Sequence, residues 1–166
     1  LKHATLARVL AHMLEKPKPF LLLDTHAGIA RYDLDADEAQ KTGEVESGIR
    51  KLWDLPTEPA PLRPYLSLVQ RINHGKLRWY PGSPGIARLL MRPEDRIELC
   101  ELHPQDVQAL KRATAGDKRV TVRSLLDYPT FQKSPKNDRL LVKELHQLLS
   151  RADIVIAHNI DFDFKK

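Results

Sequence analysis

The segment Phe20-Leu21-Leu22-Leu23-Asp24-Thr25-His26-Ala27-Gly28 constrains the fold more than any other part of this chain. Its four leading residues are apolar without alternation and stand between Pro19 and Asp24. So short an apolar run is the pattern of a strand buried on both faces in a parallel sheet. Asp24 to Gly28 then puts polar side chains and a flexible backbone at the carboxyl end of that strand. In open α/β sheets ligands bind at that end. The segment thereby marks a candidate nucleotide-type pocket near the front of the chain.

The remaining pattern agrees with such a sheet. Leu6, Leu10, Met13 and Leu14 form one apolar stripe over 1–16, which predicts a helix stopped by Pro17 and Pro19. Residues 35–54 read as helix anchored by Ile49, Leu52 and Trp53, followed by a proline-stiffened connector over 54–64. Further helices are predicted at 65–72, 85–91, 104–114 and 140–149, the last with Leu141, Leu145, Leu148 and Leu149 as its apolar positions. Strands are predicted at 77–80, 96–102, 119–122 and 153–157, with a loop over 129–135. Alternating strands and helices predict an α/β class with a mainly parallel sheet.

At 166 residues this is one domain, or one domain with an appendage. No run is long enough to span a bilayer and no signal-peptide pattern opens the chain. The single cysteine, Cys100, precludes an internal disulfide and suits a reducing cytoplasm. A net charge of +5 favours a polyanionic partner such as RNA or DNA, and is also common in domains that bind none. The chain begins at Leu1 rather than Met, the pattern of an excised or truncated piece.

Several constellations carry candidate chemistry, each beside a plainer structural reading. Asp24-Thr25-His26-Ala27-Gly28 offers hydrogen-bonding groups and close backbone approach, yet lacks the second glycine of G-x-G-x-x-G and also fits an ordinary strand-to-helix turn. Glu101, at a strand end, can accept ribose hydroxyls or simply be a surface acid. In a simple dinucleotide fold that acid lies about 20 residues after the glycine loop. Glu44 and Glu46 have this spacing but a helical, polar context; Glu101 requires an insertion. Tyr80-Pro81-Gly82-Ser83-Pro84 is a rigid turn that presents a hydroxyl, or a tight turn alone. Asp161 and Asp163 at a strand end can hold a divalent metal or stand solvated. Cys100 reads as a small core residue. Lys16, Lys18, Arg31, Lys76, Arg78, Arg88 and Arg92 can contact phosphates or be scattered solvated charge.

Taken together, LKH at 1–3, KPFLLLDTHAGIARYDL at 18–34, AQKTGE at 39–44, YPGSP at 80–84 and LCELHP at 99–104 closely resemble the RlmJ family. These are bacterial large-subunit rRNA adenine-N6 methyltransferases that use S-adenosylmethionine. The resemblance covers about residues 1–122. It implies a partial Rossmann-like methyltransferase sheet with a small helical insertion at about 38–90. It further implies Lys2, His3, His26, Ser83 and Glu101 as cofactor contacts, with Gly28 in the tight loop, and no metal. The implied substrate is the exocyclic amine of an adenine in single-stranded or unfolded rRNA, and the implied location is cytoplasmic. The family's segment before LKH is missing, and its catalytic D-P-P-Y occurs nowhere in the sequence. That motif accepts hydrogen bonds from the target amine and stacks the flipped base. The Asp-Gly expected after the third strand is absent too; Asp127 near its place is followed by Tyr128.

From about residue 123 the resemblance changes. SLLDYPTF, PKNDRLLVKELHQLLSRADIVIAHN and HNIDFD are similar to the middle of a DnaQ-like, RNase H-fold 3′–5′ exonuclease. There Asp163 would correspond to a metal-binding aspartate, while the D-x-E and later acid of that two-metal site have no counterpart. The expectation is a junction of two partial domains, 1–122 and 123–166, with a seam near 121–124. Residues 138–157 would supply a helix and a fourth strand to the same sheet, and His158-Asn159 would occupy the place of D-P-P-Y. The chain is expected to bind S-adenosylmethionine without methylating RNA. Alternatives are a metal-dependent exonuclease fragment and a non-catalytic nucleic-acid-binding remnant.

Overall fold

The structure, a computed structural model, describes residues 2–36, 48–124, 143 and 146–157. These divide into two compact units that interleave along the chain. The first comprises Leu1–Pro17 and Ala30–Met91; the second comprises Lys18–Ile29 and Arg92–Lys166.

The second unit is built on four parallel strands: β1 (Leu21–Asp24), β4 (Arg96–Glu101), β5 (Val120–Ser124) and β6 (Ile154–Ile156), in the order β5-β4-β1-β6. Leu22 and Leu23 of β1 and Ile97 and Leu99 of β4 are fully buried, as a two-sided parallel core requires. β1 aligns Leu21 with Arg96 and Asp24 with Leu99 on one side, and Leu22 with Ile154 and Asp24 with Ile156 on the other. After β1 the chain builds outward through β4 and β5, then returns to the far edge of β1 as β6. The order therefore reverses at β1, which makes the carboxyl ends of β1 and β6 a topological switch point.

Helix α5 (Pro104–Thr114) connects β4 to β5. Its local chemistry agrees with its length: proline in the first turn, Asp106 near the positive end of the helix dipole, and Lys111 and Arg112 near the negative end. Val107 and Leu110 form its buried face.

The amino-terminal end of this sheet is locked by Asp95, which has no exposed surface. Its carboxylate accepts from the Phe20 N–H at 3.1 Å, the Arg92 N–H at 2.8 Å and the Arg92 guanidinium at 3.1 and 3.2 Å. Arg92 also donates to the Lys18 carbonyl at 3.0 Å. A buried carboxylate satisfied by this many donors stays ionised despite losing water.

The first unit is helical around a two-stranded antiparallel ribbon. α1 (Lys2–Met13) buries Leu6, Ala7 and Leu10 against α3 (Arg63–Ile72) and α4 (Ser83–Leu90). α3 answers with Tyr65, Leu66, Leu68 and Val69. A short α2 (Ile49–Trp53) and a 3₁₀ turn at Ala60–Leu62 lie between. The ribbon pairs β2 (Arg31–Asp33) with β3 (Trp79–Pro81), with Tyr32 opposite Tyr80.

The sequence reading needs correction at two places. Residues 35–36 are not helical: the Asp33 side chain accepts from the Asp35 N–H at 3.1 Å and its carbonyl from Ala36, making a turn. Of the predicted 35–54 helix, Ile49–Trp53 is helical among the described residues, and 37–47 lie outside them. β2 had no predicted element, because three residues with two exposed members show no periodicity. The predicted 129–135 loop also lies outside the described residues, as do Leu141 and Leu145.

Candidate functional site

The loop after β1 is tied to the strands on both sides of it. Towards β6, the Thr25 N–H donates to the Ile156 carbonyl at 2.9 Å and the Thr25 hydroxyl to the same carbonyl at 3.0 Å. Towards β4, the Ala27 N–H donates to the Cys100 carbonyl at 3.0 Å. Within the loop, the His26 N–H donates to Asp24 Oδ1 at 3.1 Å, a turn built on a carboxylate with no exposed surface. Gly28 then adopts φ 62°, the left-handed region that glycine enters without steric cost.

Gly28 also makes the link to Glu101. Its N–H donates to Glu101 Oε2 at 2.7 Å, while Oε1 accepts from the Leu102 and His103 N–H groups, both at 2.8 Å. Three charge-assisted hydrogen bonds fix this carboxylate at the end of β4. An ionised carboxylate offers about four acceptor positions, so one remains open on Oε2. The arrangement can take a hydroxyl from a bound nucleoside without dismantling the loop.

His26 is exposed, and its Nδ1 lies 2.8 Å from Thr25 Oγ1. The single hydroxyl proton of Thr25 goes to Ile156, so Oγ1 accepts from His26 Nδ1–H. This assigns the tautomer of the neutral ring and leaves Nε2 as its acceptor. Cys100 beneath the loop is buried, and loss of water pushes its thiol up to about 11, so it is an unreactive core residue.

The remaining expected residues belong to the first unit. Lys2 is exposed at the start of α1. His3 shares a hydrogen bond with the Tyr80 hydroxyl, Nδ1 to Oη 2.9 Å, with ring centroids 5.3 Å apart. Burial, then the Lys2 charge, lowers His3 to about 4, so the ring is neutral at physiological pH. Ser83 is the first residue of α4 and only 2% exposed, with Gly82 as the preceding cap residue. The Gly82 N–H donates to the Ala30 carbonyl at 3.1 Å, fixing the YPGSP turn against the start of β2.

The structure thus brings Gly28 and Glu101 into contact and places His26 on the same loop. It sets His3 on Tyr80 and Ser83 at the neighbouring helix start within the other unit. Thr25 and Tyr80 are supporting residues that sequence reasoning did not single out. Both stand inside motifs, at a strand end and a tight turn, but their partners are remote in sequence. A cavity of about 520 Å³ lies elsewhere, towards the amino-terminal ends of β1 and β4 at Leu21, Arg96 and Arg119, away from this loop. Among the described residues no group of three or more His, Cys, Asp or Glu is placed to hold a metal. His158, Asn159, Asp161 and Asp163 lie outside the described residues.

Comparison with known proteins agrees with this architecture. Residues 17–148 match the family described as "Ribosomal RNA large subunit methyltransferase D, RlmJ". The match runs past the 121–124 seam that the sequence suggested. The Ribosomal RNA large subunit methyltransferase J of Escherichia coli K12 is 46% identical over 123 residues, 74% of this chain and 44% of that protein. Its namesake from Haemophilus influenzae is 38% identical over 162 residues, 94% of this chain and 58% of that protein. The chain therefore spans about half the length of these curated relatives. A crystal structure of a Legionella pneumophila protein superposes with a TM-score of 0.65 at 38% identity, covering 73% of this chain and 45% of that one. The fold is that of a Rossmann-like methyltransferase sheet, and the chain belongs to the RlmJ family.

Proposed function

We propose that this chain supplies the S-adenosylmethionine-binding part of an rRNA adenine-N6 methyltransferase. The observation that carries the reading is the Gly28 N–H to Glu101 Oε2 bond beside the switch point of a parallel sheet. It joins a glycine loop to an acid 73 residues away, in the place where Rossmann-type sheets receive a nucleoside. S-adenosylmethionine carries a methyl group on a sulfonium, which makes that methyl electrophilic. Glu101, fixed by three backbone donors, accepts a ribose hydroxyl through the open position on Oε2. His26 offers Nε2 as an acceptor. Within the first unit, Lys2, His3 and Ser83 are the residues that the RlmJ resemblance names as cofactor contacts, His3 as a neutral ring oriented by Tyr80.

Binding does not by itself give transfer. No D-P-P-Y stands in these residues to accept hydrogen bonds from the target amine, so these residues hold the methyl donor without transferring its methyl group. The substrate that fits the family is rRNA with the target adenine unpaired, in a cytoplasmic setting. No helix among the described residues is long and apolar enough to cross a membrane. Nothing among the described residues supports a DnaQ-like role for 123–166, and the RlmJ match continues through residue 148.

Isothermal calorimetry with S-adenosylmethionine tests the binding half. Saturable heat is expected, and no heat at high protein concentration overturns it. Incubation of the chain with unmodified rRNA and labelled cofactor tests the other half; label in the RNA would refute it.

A further inference from the structure

The hydrogen-bonding sense of His26 is set by its neighbour rather than by the ring itself. Thr25 follows the last residue of β1 that pairs with β6, and its N–H and its hydroxyl both donate to the Ile156 carbonyl, at 2.9 and 3.0 Å. Two donors fill the two lone pairs of that carbonyl. The branched Thr25 side chain has little freedom about χ1, so its hydroxyl keeps this direction. With its one proton spent on Ile156, Oγ1 meets His26 Nδ1 at 2.8 Å as an acceptor. Nδ1 therefore carries the proton of the neutral ring.

The consequence falls on the other ring nitrogen. Nε2 of the exposed His26 is an acceptor, and the sheet narrows what it accepts from. β4 and β6 flank β1 on opposite sides, two strand spacings or about 10 Å apart. Glu101 stands at the end of β4, while Thr25 ties His26 to the end of β6. A nucleoside whose ribose sits at Glu101 therefore meets His26 with a group that extends beyond the ribose. In S-adenosylmethionine two such groups are donors, the adenine amine and the α-ammonium of the amino-acid tail. The ammonium is charged, and a charge-assisted hydrogen bond is the stronger.

We propose that Thr25 is a positioning residue: it holds His26 in the Nδ1–H tautomer, so that Nε2 accepts from the α-ammonium of S-adenosylmethionine. This rests on the cofactor reading above and adds to it a residue, a tautomer and the group recognised. It also makes β6 part of the site's chemistry, because the Ile156 carbonyl takes the proton that Thr25 would otherwise offer to His26. A Thr25 hydroxyl free to turn would donate to Nδ1. Nε2 would then carry the ring proton and would suit a carboxylate, not an ammonium.

Nitrogen-15 NMR of the His26 ring in the unliganded chain, at a pH where the ring is neutral, reads the tautomer directly. The Nδ1–H form is expected in the parent and in Thr25→Ser, which keeps the hydroxyl. Thr25→Val keeps the shape and removes the hydroxyl, so a mixed or reversed tautomer is expected. Calorimetry then compares S-adenosylhomocysteine, which carries the same amino-acid tail, with its analogue lacking only the amino group. The parent should bind the intact compound about tenfold or more tightly. Thr25→Val should lose most of that ratio while its affinity for the analogue holds. An Nε2–H ring in the parent overturns the proposal, and that measurement needs no variant to fold. Retention of both the tautomer and the ratio in Thr25→Val overturns it too. Equal binding of the two compounds by the parent removes the ammonium assignment and leaves the cofactor reading standing. No binding of either compound removes the cofactor reading, and the proposal with it.

Discussion

Gly28 and Glu101 meet through one hydrogen bond of 2.7 Å that spans 73 residues of sequence. The bond closes the loop after β1 against the end of β4, and it fixes the acid proposed above to face a nucleoside. Glu101→Gln keeps the shape and removes the charge. It also turns one of the acceptor oxygens, now facing backbone N–H groups, into a donor. S-adenosylmethionine affinity is expected to fall by about tenfold or more, with a loss of about 1–3 kcal/mol in the unliganded chain. Calorimetry and urea denaturation read the two effects separately; unchanged affinity would remove Glu101 from the site.

Gly85 lies inside α4, where alanine would ordinarily be the better helix former by about 1 kcal/mol. A Cβ there would run into the carbonyl oxygen of Ala30, the same carbonyl that receives the Gly82 N–H. Gly85→Ala is therefore expected to destabilise the chain rather than stabilise it, and to loosen the turn that leads into Ser83. Chemical denaturation decides the sign.

Asp95 gives a dependence on acid. Burial alone would raise its pKa, but hydrogen bonds from the Arg92 side chain and from the Arg92 and Phe20 N–H groups outweigh it and hold the carboxyl below its ordinary value. A depressed carboxylate contributes stability that is present above its unfolded value, near 4, and lost as pH falls through the folded one. Stability measured from pH 6 to 2 should drop in that window. Asp95→Asn should be less stable at neutral pH and should lose less on acidification. A parallel drop in both proteins would count against this assignment.

His3 acts in a higher window. Its folded pKa of about 4 lies below the ordinary 6.5, so between those values the unfolded chain binds the extra proton and the fold weakens as pH falls. Proton NMR should show the His3 ring titrating near 4 and neutral at pH 7. Tyr80→Phe removes the hydroxyl at 2.9 Å and should change the ring's nitrogen shifts while leaving α1 helical. Titration of His3 near 6.5 in the parent chain would contradict its burial.

The sequence on its own determined the elements whose causes are local. Leu21 to Leu23 declared a buried strand, the stretch from Pro104 to Thr114 a helix, and Arg96 to Leu102 a strand, because periodicity and proline act within a few residues. The motif residues of the site were legible as types in the same way. Only the tertiary structure decided which of them meet. β2 exists because Trp79 to Pro81 comes back to pair with it, and three residues cannot announce a partner nearly fifty positions away. The order β5-β4-β1-β6 is set by non-local pairing, and it makes the end of β1 a switch point. The roles of Thr25, Tyr80 and Glu101 depend on hydrogen bonds across 131, 77 and 73 residues. Such bonds form only after the chain has closed those loops, so the local pattern carries the side chains and the fold alone supplies their partners.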